Sequence, residues 1–143
     1  MRSLLLLVFF LIALPHELFA GDLETLQGSW ESTIQQNGKT LRIVKTIEGK
    51  SETLDVYLGK QLLRRHVVDF EIDDQGKVKT FAYRNGLITI GPTAGQKLPD
   101  GKYIYQLTKD RWTGVFGALN GDVGPVYLQI FRRVAEDPPQ PEL

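Results

Sequence analysis

The residues that could do chemistry in this chain are few, and they centre on His66. The chain has no cysteine, and of its two histidines only His66 lies outside an N-terminal apolar segment. A serine triad would need His66 and Asp69 to meet a serine, but these two residues lie on opposite faces of an extended strand. The candidate serines are Ser29, Ser32 and Ser51, and none sits in a GxSxG turn.

Other catalytic arrangements are equally poorly represented. A zinc site needs three or four N, S or O ligands in close order, which His66 lacks. Acidic pairs such as Asp73 with Asp74 fall in a predicted turn, where solvated charges explain them. We therefore predict no catalytic residue, no metal site and no cofactor, because an enzyme would need an acid–base constellation that only tertiary structure could assemble.

Two polar residues nevertheless fall on an apolar strand face. In the stretch LLRRHVVDFEI, Arg64 and His66 alternate in step with Val68, Phe70 and Ile72. Inward polar groups cost free energy unless they are paired. We expect them at a barrel mouth, in a salt bridge, or against a ligand, and the sequence leaves these alternatives open.

Aromatic residues mark a second candidate for binding. Tyr103 and Tyr105 share one strand face, and Trp112 lies on the next predicted strand. They could line a pocket opening toward the glycine-rich connections at 91–101 and 117–125, or they could simply form the core. The candidate ligand-binding residues are Arg64, His66, Tyr103, Tyr105 and Trp112.

The elements that must position these residues are short strands. Turn signals such as Asn37-Gly38 and Asn85-Gly86 separate stretches rich in β-branched and aromatic residues. Eight or nine strands joined mainly by hairpins indicate an all-β antiparallel meander that closes into a barrel or folds into a sandwich. Residues 22–27 predict one helical turn before the first strand, capped by Asp22. The predicted strands are 29–36, 40–48, 52–58, 62–72, 77–84, 87–90, 102–108, 111–117 and 125–134.

The first twenty residues have the order of a secretory signal peptide. Arg2 precedes an apolar run of about eleven residues, short of the roughly 20 that a membrane span needs, and Ala20 offers a small residue for cleavage. We predict a signal peptide at 1–20, one domain at 21–135 and a disordered proline-rich tail at 136–143. The chain would then be exported, periplasmic or secreted, without a permanent membrane anchor.

Charge and cysteine content limit the partners. The formal net charge is zero over the whole chain and remains zero after residues 1–20, which include Arg2 and Glu17, are removed. A neutral domain lacks the basic footprint by which nucleic acids are bound, so we predict no nucleic acid partner. Without cysteine the fold relies on its core alone.

The segment DLETLQGSWE resembles the opening of small exported lipocalin-like proteins, in particular a planctomycete-type family with an LQGxW start. Gly28 and Trp30 resemble the GxW of lipocalins and their calycin relatives. The resemblance implies a barrel in which Trp30 packs under an arginine near the end of the domain, and we expect Arg132 to take that position, because it alternates in step with Val126, Leu128 and Ile130. In that role these residues close the barrel and bind nothing.

We thus expect an exported, non-catalytic, lipocalin-like barrel that binds a small hydrophobic or amphipathic molecule inside it. The alternative is a structural or protein-interaction module of the cell envelope, with a solid core and no ligand. The interior distinguishes them, since an accessible cavity around Arg64 and His66 favours the first, and a core filled by Trp30, Phe70, Tyr105 and Trp112 favours the second.

Overall fold

Eight consecutive strands each pair antiparallel with the next, and the last pairs with the first to close a barrel. This is a computed structural model, and it describes residues 21–135. The predicted signal peptide at 1–20 and tail at 136–143 lie outside the described residues. The elements are α1 (Asp22–Leu26), β1 (Gly28–Gln36), β2 (Lys39–Glu48), β3 (Ser51–Leu58), β4 (Gln61–Asp73), β5 (Lys79–Ile90), β6 (Gly101–Leu107), β7 (Arg111–Phe116) and β8 (Tyr127–Arg133).

The all-β antiparallel barrel predicted from strand spacing is confirmed. The first hairpin shows why the pattern was informative. Asn37 and Gly38 join β1 to β2 with φ of 51° and 72°. Both residues tolerate the left-handed region, which gives a two-residue turn the twist of its flanking strands.

One predicted turn is wrong, and this reduces the strand count to eight. Asn85 and Gly86 do not separate two strands but lie within β5, where together they stand opposite the single residue Val68 of β4. Asn85 has φ of 56° and is therefore left-handed, as a turn residue would be. A bulge uses the same backbone conformation. Pairing with the long strand β4 continues on both sides of it.

Large side chains fill one end of the barrel, which we call the closed end. Trp30 and Trp112 meet edge to face with ring centroids 5.9 Å apart, and the Trp30 indole donates to the Leu26 carbonyl at 2.8 Å. Such rings bury much apolar area, and their one polar group is satisfied in Trp30. The fully buried side chains are Trp30, Trp112, Phe70, Phe81, Phe131, Leu26 and Ile47.

The helical turn α1 lies against the closed end, as its Leu26 shows by being fully buried. The predicted cap is wrong, because the N-cap is Gly21 and makes no side-chain hydrogen bond. The Asp22 carboxylate instead accepts from Lys79 Nζ at 2.7 Å and from the Tyr105 hydroxyl at 2.8 Å, which attaches α1 to the barrel wall. Within residues 21–135, no helix is long and apolar enough to cross a membrane.

The arginine that stacks on Trp30 is Arg133, which corrects the expectation of Arg132. The Arg133 guanidinium carbon lies 4.1 Å from the Trp30 ring centroid. Arg133 also donates to the backbone carbonyls of Thr25, Gln27 and Lys109. It therefore ties α1, β1 and the β6–β7 turn together, as a planar fork of donors allows. Arg132 is exposed on the outer face.

The error arose from choosing the wrong face of β8. Val126, Leu128 and Ile130 point outward, and Leu128 remains 65% exposed, whereas Phe131 is only 1% exposed. Pairing with β7 sets this register, because Trp112 stands opposite Phe131 and their ring centroids are 5.7 Å apart. The face that carries Phe131 points inward because burying an aromatic ring removes more apolar area from water.

β1 and β8 close the barrel through a short contact, which we call the β1–β8 seam. Only Trp30 with Arg133 and Glu31 with Arg132 pair across it, and the amide of Val134 adds a hydrogen bond of 2.9 Å to the Ser29 carbonyl. β1 continues to Gln36 and β8 begins at Tyr127, so much of each strand lies beyond the seam. The barrel is closed near α1 and less tightly joined toward its other end.

Candidate functional site

The half of the barrel away from α1 is hollow, and we call its open end the mouth. A cavity of about 290 Å³ lies inside it. At roughly 30 Å³ of liquid volume per water, that is room for about ten waters or a small organic molecule. The lining residues are Lys45, Glu52, Leu54, His66, Val68, Tyr83, Leu98, Pro99, Tyr103, Phe116, Tyr127 and Gln129.

A buried ion pair forms the floor between this cavity and the closed end. Lys45 Nζ donates to the Glu52 carboxylate at 3.1 Å and to the Tyr103 hydroxyl at 3.2 Å. The ammonium also lies 4.3 Å from the ring centroid of Trp112 and 4.9 Å from that of Phe131. Buried charges need such partners, since desolvation alone costs several kcal/mol per ion. The hydrogen bonds and the contacts with ring faces together offset the desolvation cost of the Lys45 ammonium.

Sequence reasoning did not single out this pair as functional. The signal was present, because Lys45 alternates in step with the apolar residues Leu41, Ile43 and Ile47 of β2. Glu52 likewise alternates with Leu54 on β3. Strand alternation thus showed two charged residues facing inward, but no local pattern showed that they are close enough to pair.

One wall of the cavity is aromatic. Tyr103 lies between its neighbours, with ring centroids 6.4 Å from Tyr83 and 4.3 Å from Phe116. Phe116 in turn stacks on Tyr127 at 4.9 Å. Burial raises the pKa of the Tyr103 hydroxyl well above its usual value, so it stays protonated and can donate a hydrogen bond. A flat apolar molecule would meet aromatic rings and a hydrogen-bond donor on this wall.

The opposite wall, formed by β3 and β4, carries polar atoms without partners. His66 Nδ1 and Arg64 Nε are buried and have no hydrogen-bond partner among residues 21–135. Burial lowers the pKa of His66 to about 4, and the positive charges of Arg64 and Lys45 act in the same direction. His66 is therefore neutral at pH 7, and each of its ring nitrogens is either a donor or an acceptor but not both.

The 91–100 connection folds over the mouth and contributes Leu98 and Pro99 to the lining. It is attached along β5, where the amide of Ile88 donates to the Gln96 carbonyl and that of Leu98 to the Gly86 carbonyl, both at 2.9 Å. Only glycine fits at position 86, because a Cβ there would lie 2.6 Å from the Leu98 Cβ. The bulge in β5 thus makes room for the segment that covers the cavity.

The structure separates the predicted site residues into two groups. His66 and Tyr103 line the cavity. Arg64 is not among the lining residues but lies two residues from His66 on the same face of β4, toward the mouth. Tyr105 and Trp112 lie in the packed core of the closed end. The Tyr105 hydroxyl donates a hydrogen bond to the Asp22 carboxylate. Burial and this carboxylate both raise the pKa of Tyr105.

The residues considered for catalysis are not brought together by the fold. Asp69 accepts from the Asn85 side chain at 2.9 Å on the outer surface, away from the inward-facing His66. Ser29 lies 3.4 Å from the Thr46 hydroxyl. Within residues 21–135, no group of three or more His, Cys, Asp or Glu is placed to hold a metal ion.

Fold and site together define a class: a small eight-stranded antiparallel β-barrel with one packed end and one hollow end, compatible with a lipocalin-like fold. No protein-family model, curated protein or solved structure matches this chain.

Proposed function

We propose that this chain is an exported, non-catalytic, lipocalin-like protein that binds a small, partly apolar molecule inside the barrel. The observation that carries the proposal is the cavity of about 290 Å³, which has an aromatic wall on one side and polar atoms on the other. Binding sites for small molecules typically combine apolar walls with a few polar groups that orient the ligand. Export rests on the order of charges and apolar residues in 1–20.

The direct test is to isolate the protein from its native source and record native mass spectra before and after solvent extraction. We expect an adduct that extraction removes. In parallel, the extracted protein should bind the neutral fluorescent probe N-phenyl-1-naphthylamine. A protein that carries no adduct and binds no probe would overturn the proposal.

A pair of neighbouring substitutions shows whether the probe enters the barrel. Val68 lines the cavity, whereas Val67 precedes it on the outer face of β4. Val68→Phe should fill the cavity and abolish probe binding, and Val67→Phe should leave it unchanged. Urea unfolding checks that both variants are folded. Equal binding by both would place the probe outside the barrel.

A second candidate function is supported by the outer face of β8. Val126, Leu128 and Ile130 form an exposed apolar row beside the short β1–β8 seam. Adjacent exposed apolar residues are typical of protein-interaction sites. On this hypothesis the chain is an interaction module of the cell envelope, whether or not the cavity is occupied.

A photo-crosslinking amino acid tests the second candidate. Placed at residue 128 in cells of the native source, it should give one discrete protein adduct. Val78 is a matched control, because it is 57% exposed compared with 65% for Leu128. Adducts at both positions, or at neither, would contradict a specific interface on β8.

A further inference from the structure

The charges that face the hollow half of the barrel do not balance. Lys45 is neutralised by Glu52 at 3.1 Å, and the aromatic wall carries no charge. On the outside, Asp55 is engaged by two hydrogen bonds from Arg65, of 2.6 and 2.8 Å. No acidic residue in 21–135 lies within ion-pair distance of Arg64. Among the described residues, Arg64 is therefore the charged residue of the inner wall that has no ion-pair partner.

The guanidinium of Arg64 is partly buried in the wall, since its Nε atom is shielded from solvent. Arg64 and His66 are two residues apart on β4, opposite Val56 and Leu54 of β3, and so face the same side of the wall. The backbone of Gly91 passes close to Arg64, since a Cβ built on Gly91 would lie 3.5 Å from its Cα. Arg64 Nε and His66 Nδ1 are both buried there without a partner. Buried polar atoms without partners lose the hydrogen bonds they would make in water, and a neutral His66 can donate from Nδ1 in the tautomer that carries its proton there.

We infer that the ligand of this cavity is a monoanion, whose carboxylate or similar oxyanion binds Arg64 and His66 while its flat apolar body lies against Tyr83, Tyr103 and Phe116. The inference rests on the proposed function. One negative charge would match the one uncompensated cation. A guanidinium binds a carboxylate through charge-assisted hydrogen bonds of fixed geometry, and the aromatic wall favours stacking with a ring.

The test compares two molecules of the same shape and different charge, 2-naphthoate and 2-naphthamide, by titration calorimetry at pH 7. We expect naphthoate to bind at least about tenfold more tightly than naphthamide. Arg64→Gln should lower the affinity for naphthoate at least about tenfold. Its affinity for naphthamide should stay within about twofold of that of the unmodified protein. Arg84→Gln is the control, because it removes one positive charge from an exposed position on β5 whose side chain is 53% exposed.

The outcomes separate the inference from the function on which it rests. If neither compound binds, and the neutral probe does not bind either, the proposed function fails. If naphthamide binds as tightly as naphthoate, the cavity binds ligands but the inference of an anion is overturned. If Arg64→Gln weakens both compounds equally, Arg64 does not select charge and the inference is again overturned.

An NMR measurement on the unmodified protein keeps the inference testable if Arg64→Gln does not fold. The Nε–H resonance of Arg64 should shift downfield and exchange more slowly when naphthoate is added, because it gains an acceptor. Naphthamide should leave it nearly unchanged. An unshifted resonance under saturating naphthoate would overturn the inference.

Discussion

At the scale of single residues, the Lys45–Glu52 pair determines how the barrel interior is divided. It separates the aromatic core of the closed end from the cavity, and both side chains are almost completely buried. A buried pair of this kind is poor evidence of net stabilisation, because its attraction only offsets the cost of removing two charges from water. What it fixes is the position of the Tyr103 hydroxyl, which Lys45 holds at 3.2 Å.

Removing one partner of the pair should therefore lower the stability of the fold more than replacing both partners with apolar residues. Lys45→Met or Glu52→Leu alone should lower the free energy of unfolding by about 3 kcal/mol, because each leaves a buried charge without its partner. The double variant Lys45→Met/Glu52→Leu should return to within about 1 kcal/mol of the natural protein. Urea unfolding at pH 7 measures all three. Losses that simply add in the double variant would contradict the buried pair.

The sequence predicted some of the inward-facing polar residues as site residues and missed others. Arg64 and His66 were identified because two polar residues interrupt an apolar alternation within one strand. Lys45 and Glu52 interrupt alternation as well, but each does so singly and on a different strand. Their significance comes from the β2–β3 register and from Tyr103, which is 58 residues distant from Lys45 in sequence. Contacts of that range carry no local signal.

At the scale of elements, one guanidinium links α1 to two other parts of the barrel, in addition to the contacts of Asp22 and Leu26. Arg133 stacks on Trp30 and donates to carbonyls at the end of α1 and in the β6–β7 turn. A lysine would retain the charge but would lose the planar stacking and most of the donors. Neighbouring Arg132 lies exposed on the outer face and provides a matched comparison.

Arg133→Lys should lower the free energy of unfolding by about 2 kcal/mol, and Arg132→Lys should change it by less than about 0.5 kcal/mol. Chemical denaturation followed by tryptophan fluorescence suits this measurement, because Trp30 lies directly beneath Arg133. If the two variants lose equal stability, the assignment of Arg133 to the Trp30 contact is wrong.

Most strands were predictable from alternation and turn residues, and the exceptions have a common cause. Asn85-Gly86 carries the signal of a hairpin, yet β4 is long enough to pair on both sides of it, so the same backbone becomes a bulge. For β8, both faces are apolar in sequence, and only pairing with β7 determines that Phe131 points inward. Local sequence patterns specify the backbone conformation of a segment. Pairing with the neighbouring strand determines whether that segment forms a turn or a bulge, and which face of a strand points inward.

At the scale of the whole molecule, packing is uneven between the two ends of the barrel. The chain has no cysteine, so no disulfide assists it. The closed end holds the large buried rings, while the other half holds the cavity and a neutral histidine in its wall. A histidine that is kept neutral by burial links the stability of the whole barrel to pH.

The sign of this linkage follows from the pKa of His66, which is about 4 in the folded protein and near 6.5 in an unfolded chain. Between these values the unfolded state binds more protons, so stability should fall as pH is lowered from about 6.5 to about 4. The pKa of Asp55 is lowered from 3.8, so the stabilisation from its contact with Arg65 is lost only at lower pH.

His66→Gln should remove this dependence. Between pH 7 and pH 4.5, the natural protein should lose about 1–2 kcal/mol more stability than the variant, allowing for solvent screening of a partly exposed group. Urea unfolding at the two pH values gives the comparison. Parallel losses in both proteins would show that His66 is protonated in the folded state at the lower pH.

The placement of Arg133 has a geometric consequence for how the barrel can be tethered. Because it joins α1 to the end of β8, residues 21 and 135 both leave the domain at the closed end. A linker, fusion partner or solid support joined to either terminus would therefore hold the barrel by its base. The mouth would face away from the support and remain open to the surrounding solution.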